Sequence, residues 1–359
     1  MRVLSVTTYN IRNLKNQTVK TDNVFITLVG NNGQGKTNFL ETIYSICYGN
    51  SFRKASLNQI KTFNTKEAFI KASILLDSNE KIEIKYVIKD GKRSIYLQNK
   101  EIKDRKELIY TVPSIVFNHE DIDFVQGSPE DKRKFYNQTL TLYDPLFLDD
   151  IRKYKNLLKQ RNILLREESY DLIHLYDSQL AVVGMEIQKK RETLIKEFNL
   201  LFPKLFSKIT QENEEVFASY RPSWKNCNCY EDAEKKLKES LDIDKKYQTT
   251  TTGPHRDKFY IIKNKRDYIE TASTGQKRLV SLILRSAQAA FYTKKTGTKP
   301  IILLDDVLLE LDIDKRARFL ENTKGFSQAF FTFLPGEFYF RDGKFEGLVY
   351  KVEKGVIES

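Results

Sequence analysis

The hydrophobic positions change their period along the chain. In the first 118 residues short apolar runs predict strands at "RVLSVTTYNI", "NVFITLVG", "AFIKASILL", "KIEIKYVIK" and "RSIYLQ", the last three alternating apolar with polar residues. Asp90-Gly91 stands between two of them as a hairpin turn, and "TVPSIVFN" reads as a more buried strand. From about Glu130 the spacing becomes helical. Ile151, Tyr154, Leu157, Leu158 and Leu165 share one helix face. Tyr176, Leu180, Val183, Ile187, Leu194, Phe198 and Leu201 share another, with Arg191 near the skipped position and Pro203 as its end. An antiparallel helical arm and a compact helical subdomain both fit. Strand signals return after Val216 with "VFASYRPSW". A charged helix near Glu231–Leu241, the strand "KFYIIK", a helix opened by Ser273, "PIILLDD", a helix near Lys315–Thr323 and "QAFFTFL" follow.

This order predicts one α/β domain interrupted by a helical insertion, with a largely parallel sheet toward the C-terminal side. Residues 1–125 and 206–359 are expected to form the domain, and 126–205 the inserted arm. Composition then narrows the partners. A net charge of +12 favours a polyanion such as nucleic acid, although a bias toward Lys, Asn, Ile, Phe and Tyr accounts for it as well. No run of 18 apolar residues is present and the N-terminus lacks the apolar core of a signal peptide, so a cytosolic protein without membrane attachment is expected. Three cysteines suit a reducing compartment. Cys227 and Cys229 lack further ligands nearby, which argues against zinc.

Three motifs carry chemistry. "GNNGQGKT", Gly30 to Thr37, fits G-x-x-x-x-G-K-[ST] between an apolar strand and a helix. Its glycines let backbone N–H groups curve around phosphates, Lys36 can reach the β- and γ-phosphates, and the Thr37 hydroxyl can ligate Mg²⁺. "IILLDD" is an apolar strand ending in two carboxylates. Asp305 is suited to hold Mg²⁺ through water, and Asp306 to orient an attacking water and accept its proton. Ser273-Thr274-Gly275-Gln276 opens a helix, as an anion site or as a plain cap.

In this order the motifs resemble those of the ABC-type ATPases, whose Ser-Gly-Gln signature contacts the γ-phosphate bound by the opposite subunit. Further stretches are similar to the RecF family of bacterial recombination and repair ATPases, relatives of the heads of chromosome-maintenance proteins. They are "YNIRNL", "GNNGQGKTNFLETIY", "GNSFRKAS", "FNHEDIDFVQGSPEDKRKFYN", "TTTTGPHRDKF", "STGQKRLVSL" and "LLDDVLLELD". Together they cover nearly the whole chain in family order. The resemblance implies an ABC-type P-loop ATPase head with a mixed sheet, and a weak, DNA-stimulated, Mg-dependent ATPase. ATP would be held by Gly30, Asn31, Asn32, Gly33, Gln34, Gly35, Lys36, Thr37 and Asn38, with Arg12 and Asn13 near the nucleotide. Mg²⁺ would sit on Thr37 and Asp305, with Lys36 and Asp306 as catalytic groups. Two chains would sandwich two ATPs, each completed by Ser273, Gly275 and Gln276 of the other chain. DNA at single-strand gaps and duplex junctions, RecR, RecO and RecA are the implied partners.

The chain departs from the family at Leu309, where Ser is usual, which leaves a weakly active nucleotide binder open. Lys132 and Asn137 replace a usual Arg and Asp, and His119 a usual Pro. Thr332 stands where transporter ATPases carry a His that senses the γ-phosphate, which counts against a transporter subunit. A chromosome-tethering ATPase would need a longer coiled-coil arm. Arg53 resembles an arginine near ATP. His255 and Arg256 could contact phosphate or fix a turn, and the clusters Lys132–Lys134 and Lys189–Arg191 could touch DNA or simply be solvated.

Overall fold

Residues 1–322, 325–336 and 347–359 are described by the computed structural model. They fall into two units, one made of residues 1–120 with 289–359 and the other of residues 121–288; the second division lies within the helix Thr274–Thr296.

Among its described residues the first unit holds two six-stranded sheets. One is antiparallel, in the order Gln17–Lys20, Arg2–Tyr9, Glu67–Leu75, Lys81–Lys89, Lys92–Leu97, Lys100–Glu101. Its alternation buries Ile70, Ala72, Ile74, Ile82, Ile84, Tyr86 and Ile88 on one face. The expected Asp90-Gly91 turn joins Lys89 to Lys92, with positive φ at both residues as a two-residue hairpin requires.

The other sheet runs Val356–Glu358, Leu348–Glu353, Phe25–Val29, Gln328–Phe333, Ile301–Leu304, Ser114–Phe117. Every pair is parallel except the C-terminal hairpin, so the sheet is mixed. All residues of "IILL" and "QAFFTF" are buried, as in strands covered on both faces. The Gln328 side chain ties the two sheets together, accepting from Val3 N at 2.7 Å and donating to the carbonyls of Thr21 and Asn23.

The second unit is built on the helices Pro145–Arg166 and Ile173–Phe198. They run antiparallel, since Lys190 meets Asp144 and Asp150 at one end while Arg161 meets Asp177 at the other. Leu180, Val183, Ile187, Leu194 and Phe198 are buried as the heptad pattern requires. The skipped position holds a buried arginine, Arg191, whose guanidinium lies 2.6 Å from Asp257.

The two antiparallel helices are part of a compact unit that is not wholly helical. A three-stranded antiparallel sheet, Val216–Arg221, Lys258–Lys263 and Arg266–Asp267, belongs to the same unit. Asn199, just past the long helix, bonds both backbone groups of Ala218, and Trp224 packs on Gly184, where a Cβ would stand 2.5 Å from the ring. These contacts explain why residues 206–288 group with the helical unit, where the strand signals alone assigned them to the ATPase part. Pro203 also acts differently from the sequence reading. The long helix ends at Phe198, and Pro203 occupies the first turn of the next helix, Phe202–Thr210, where its missing N–H is tolerated. The last expected helix spans Ile313–Asn322, and Thr323 lies outside the described residues.

Candidate active site

Residues 30–35 leave the strand Phe25–Val29 and run directly into the helix Lys36–Tyr48. Gly30 is required by close approach, since a Cβ there would stand 2.3 Å from the carbonyl oxygen of Val352 on the neighbouring strand. Gly33 and Gly35 adopt φ of 77° and 119°, which side chains resist. The helix turns Phe39, Leu40, Ile43, Ile46 and Cys47 inward, and burial pushes the Cys47 thiol up to about 12. Its N-terminus has no side-chain cap and no acidic residue in the first turn. The first amides and the positive dipole end are therefore left for an anion. Lys36 is buried and donates to Gly30 O at 2.7 Å and Asn31 O at 3.2 Å, which holds its ammonium over the loop.

The acidic strand Ile301–Leu304 is separated from the loop strand only by Gln328–Phe333. All three run parallel, so their C-terminal ends converge although the motifs lie far apart in sequence. Thr37 Oγ1 donates to Asp305 Oδ1 at 2.8 Å. Burial, aided by the charge of Asp306, pushes the Asp305 carboxyl up to about 6, against the opposing effects of Thr37, His119 and Thr332. Asp306 has the left-handed φ of 55°. Thr332 Oγ1 fixes it, accepting from Asp306 N at 2.8 Å and lying 2.8 Å from Asp306 Oδ1. A hydroxyl and a carboxylate in direct contact are hard oxygen donors of the kind Mg²⁺ takes.

Asn13, Asn38 and Arg53 form a chain of side chains that braces the loop. Asn13 Nδ2 donates to Gly33 O at 3.0 Å, Asn38 Nδ2 to Asn13 Oδ1 at 2.7 Å, and Arg53 to Asn38 Oδ1 at 2.9 Å. Arg12 is engaged by Glu41 in two bonds of 2.9 Å, and Glu41 also accepts from Ser51. Beside them opens a groove of about 550 Å³ lined by Arg12, Asn13, Asn38, Asn58, Gln59, Lys61 and Phe63, the last 87 % exposed.

The signature residues Ser273, Gly275 and Gln276 are exposed in the second unit. They form a reciprocal cap: Ser273 N donates to Gln276 Oε1 at 2.8 Å, and Gln276 N to Ser273 Oγ at 3.3 Å. His255 is fixed locally, between the Tyr154 hydroxyl and Thr250 O, each at 2.9 Å. The carbonyl can only accept, so Nε2 carries the imidazole proton. Burial lowers its pKa to about 4.

Some contributors escaped the sequence reading. Gln34 accepts from Lys354 N at 2.6 Å, and Gly355 N donates to Gln34 O at 2.9 Å. The C-terminal hairpin turn therefore supports the phosphate loop from the far end of the chain. Lys354 and Gly355 have φ of 48° and 82°, and the alternating residues around "KG" were the available signal. Among the described residues no helix is long and apolar enough to cross a membrane, and no group of three or more His, Cys, Asp or Glu side chains is placed to hold a metal ion.

The family model described as the RecF/RecN/SMC N-terminal domain matches residues 2–356. A DNA replication and repair protein RecF from Treponema pallidum is 38 % identical over 350 residues, covering 98 % of this chain and 99 % of its own. One from Thermoanaerobacter pseudethanolicus is 32 % identical over 346 residues, covering 92 % and 95 %. A solved structure of the recombination mediator protein RecF with ATP, in the RecFOR pathway, superposes with a TM-score of 0.89 at 28 % identity, covering 99 % of this chain and 97 % of its own. An Smc head bound to a ScpA domain shares the fold at a TM-score of 0.58 and 16 % identity, covering 100 % of this chain and 96 % of its own. With an ABC-type ATPase fold and similarity along its whole length, this chain belongs to the RecF family of DNA replication and repair proteins.

Proposed function

We propose that the chain is an ATP-dependent DNA-binding protein whose ATP state is a homodimer and whose hydrolysis loosens it. The observation that carries this reading is the contact of Thr37 Oγ1 with Asp305 Oδ1 beside an uncapped helix start. Phosphates fit the open amides, and Lys36 would exchange its loop carbonyls for β- and γ-phosphate oxygens. The base fits the groove that ends at Phe63, whose exposed ring offers a stacking face. Mg²⁺, held by Thr37 and by Asp305 directly or through water, would neutralise phosphate charge. Asp306, fixed by Thr332 through Oδ1, keeps Oδ2 for the attacking water and accepts its proton.

Ser273, Gly275 and Gln276 serve the site of a second chain. Loss of the γ-phosphate then removes the bridge between the two chains and weakens the grip on DNA. At single-strand gaps and duplex junctions the dimer would work with RecR and RecO to load RecA, with a slow ATPase that DNA stimulates. The fit with a RecF–ATP structure supports the nucleotide part of this reading. Sedimentation of the wild type, Lys36→Ala and Ser273→Arg with and without ATP tests it. The wild type dimerises with ATP and both variants stay monomeric; a wild type that remains monomeric with ATP and DNA sinks the sandwich.

A further inference from the structure

The sequence offers two basic clusters, and the structure engages one of them. In Lys189–Arg191, Lys190 lies 3.0 Å from both Asp144 and Asp150, Arg191 lies 2.6 Å from Asp257, and Lys189 lies 3.6 Å from Glu186. The other cluster belongs to a larger cationic face of the same unit. Lys258 stands directly opposite Arg221 across the antiparallel pair. Like charges so placed weaken a ladder. On that face the Arg221 guanidinium lies 4.5 Å and the Lys132 ammonium 5.8 Å from the centroid of the half-buried Tyr260 ring. Among the described residues none of Lys132, Arg221 and Lys258 has a carboxylate within 4.0 Å.

Arg133 and Arg256 extend the face. They donate to the backbone carbonyls of Asp257, at 2.9 Å, and Thr250, at 3.1 Å, and not to carboxylate oxygens. The Asp257 carboxylate is taken by Arg191 and Tyr220. Asp257 and, less strongly, Glu130 are the acids whose fields reach Arg133, and Asp267 the one whose field reaches Lys132. Burial first, then the charges of Arg191 and Arg256, lower the pKa of Arg133, and burial lowers that of Lys132. A polyanion would relieve this repulsion.

We propose that Lys132, Arg221 and Lys258, on the face of Tyr260, together with Arg133 and Arg256, form a contact surface for the phosphodiester backbone of nucleic acid. The proposal rests on the DNA-binding reading above and gives it a place on the molecule. Flexible cations around one ring reach phosphates without reading base edges, so binding there is independent of sequence.

The test measures affinity of the full chain with ATP for a mixed-sequence duplex and for a single strand, from ~50 to ~200 mM salt. The triple variant Lys132→Gln/Arg221→Gln/Lys258→Gln weakens binding by ~10-fold or more and flattens the slope of log affinity against log salt by about 2. ATP affinity and the unfolding midpoint are read alongside, and the exchange Arg221→Lys/Lys258→Arg keeps binding. Whichever oligonucleotide shows the larger loss is the form held by this face. An unchanged affinity and slope in a folded triple variant overturns the proposal. So does a variant that loses only binding to polyglutamate, which would make the face a dock for acidic peptide. If the wild type itself binds no DNA with ATP, the DNA-binding reading fails and this one falls with it.

Discussion

Two helices of this chain start with a Gly-containing turn suited to anions, and they are built in opposite ways. The helix at Lys36 has no side-chain cap of its own, and its loop is held by Asn13, Gln34 and the turn Lys354-Gly355, drawn from both ends of the chain. The helix at Thr274 is capped by its own Ser273 and Gln276 within four consecutive residues. The first start is open but depends on distant support. The second is closed by itself and needs none. An open start fits a site that always holds its ligand in the working state. A self-capped start fits a surface that stays ordered until a second chain brings the anion.

The contrast breaks most sharply in nucleotide binding. Lys36→Ala removes a charge-assisted donor from the open start and lowers ATP affinity of the single chain by ~100-fold, about 3 kcal/mol. Ser273→Arg leaves that affinity within about twofold and abolishes ATP-dependent dimerisation and turnover, since a uniform loss at one site and a trans loss at the other separate cleanly. Fluorescent-nucleotide titration at protein concentrations below dimerisation reads the first effect, and sedimentation the second. Equal losses of affinity in both variants would remove the distinction.

Asp305 carries the next largest effect, and its sign is opposite to that of a structural residue. Its carboxyl is pushed from 3.8 up to about 6, chiefly by burial. Well below the unfolded value of 3.8 the group is protonated in both folded and unfolded chains, and the burial penalty is absent. As pH rises from ~4 to ~6 the unfolded chain is ionised while the folded group stays protonated, and stability falls by as much as about 3 kcal/mol. Asp305→Asn therefore stabilises the nucleotide-free protein above pH ~6, keeps a Thr37 acceptor, and loses ATP hydrolysis. Denaturant midpoints in a chelator, taken across that range, check it; a variant less stable than the wild type at neutral pH would contradict the burial argument.

Much of the open start was legible in the sequence, because strand, loop and helix are contiguous there. The acidic strand and the Asp90-Gly91 hairpin were legible for the same local reason. What escaped was set by partners far along the chain. Arg12 gives no sign in sequence of its tie to Glu41, nor Gln34 of its tie to Lys354. Thr332 was legible as a replaced histidine, whereas its grip on Asp306 needed the strand order. Strand signals at "VFASYRPSW" and "KFYIIK" were right, yet a short strand does not announce which sheet it joins. Pro203 misled because proline both stops one helix and starts another.

Distant support can be tested by a smaller lesion. Gly355→Ala places a methyl 1.9 Å from Asn13 O at a φ of 82°. The turn must move, at a cost of roughly 2 kcal/mol, and the phosphate loop moves with it. ATP affinity falls although residue 355 lies outside the phosphate loop, whereas Gly275→Ala, within a helix and with nothing within 4 Å of its added Cβ, does not lower stability. Thermal melts with and without ATP distinguish the two glycines.

The smallest effect separates the two duties of Ser273. As a cap its hydroxyl accepts from Gln276 N, so Ser273→Ala costs about 1 kcal/mol. Ser273→Asp caps at least as well and suits the helix dipole, so the melting temperature stays at the wild-type value. Yet a carboxylate at that point repels a γ-phosphate brought by another chain, and ATP-dependent dimerisation is lost. Alanine thus lowers stability and weakens the dimer in part, while aspartate spares stability and removes the dimer. If the aspartate variant dimerises like the wild type, Ser273 is a helix cap alone, and the difference between the two helix starts has no bearing on nucleotide.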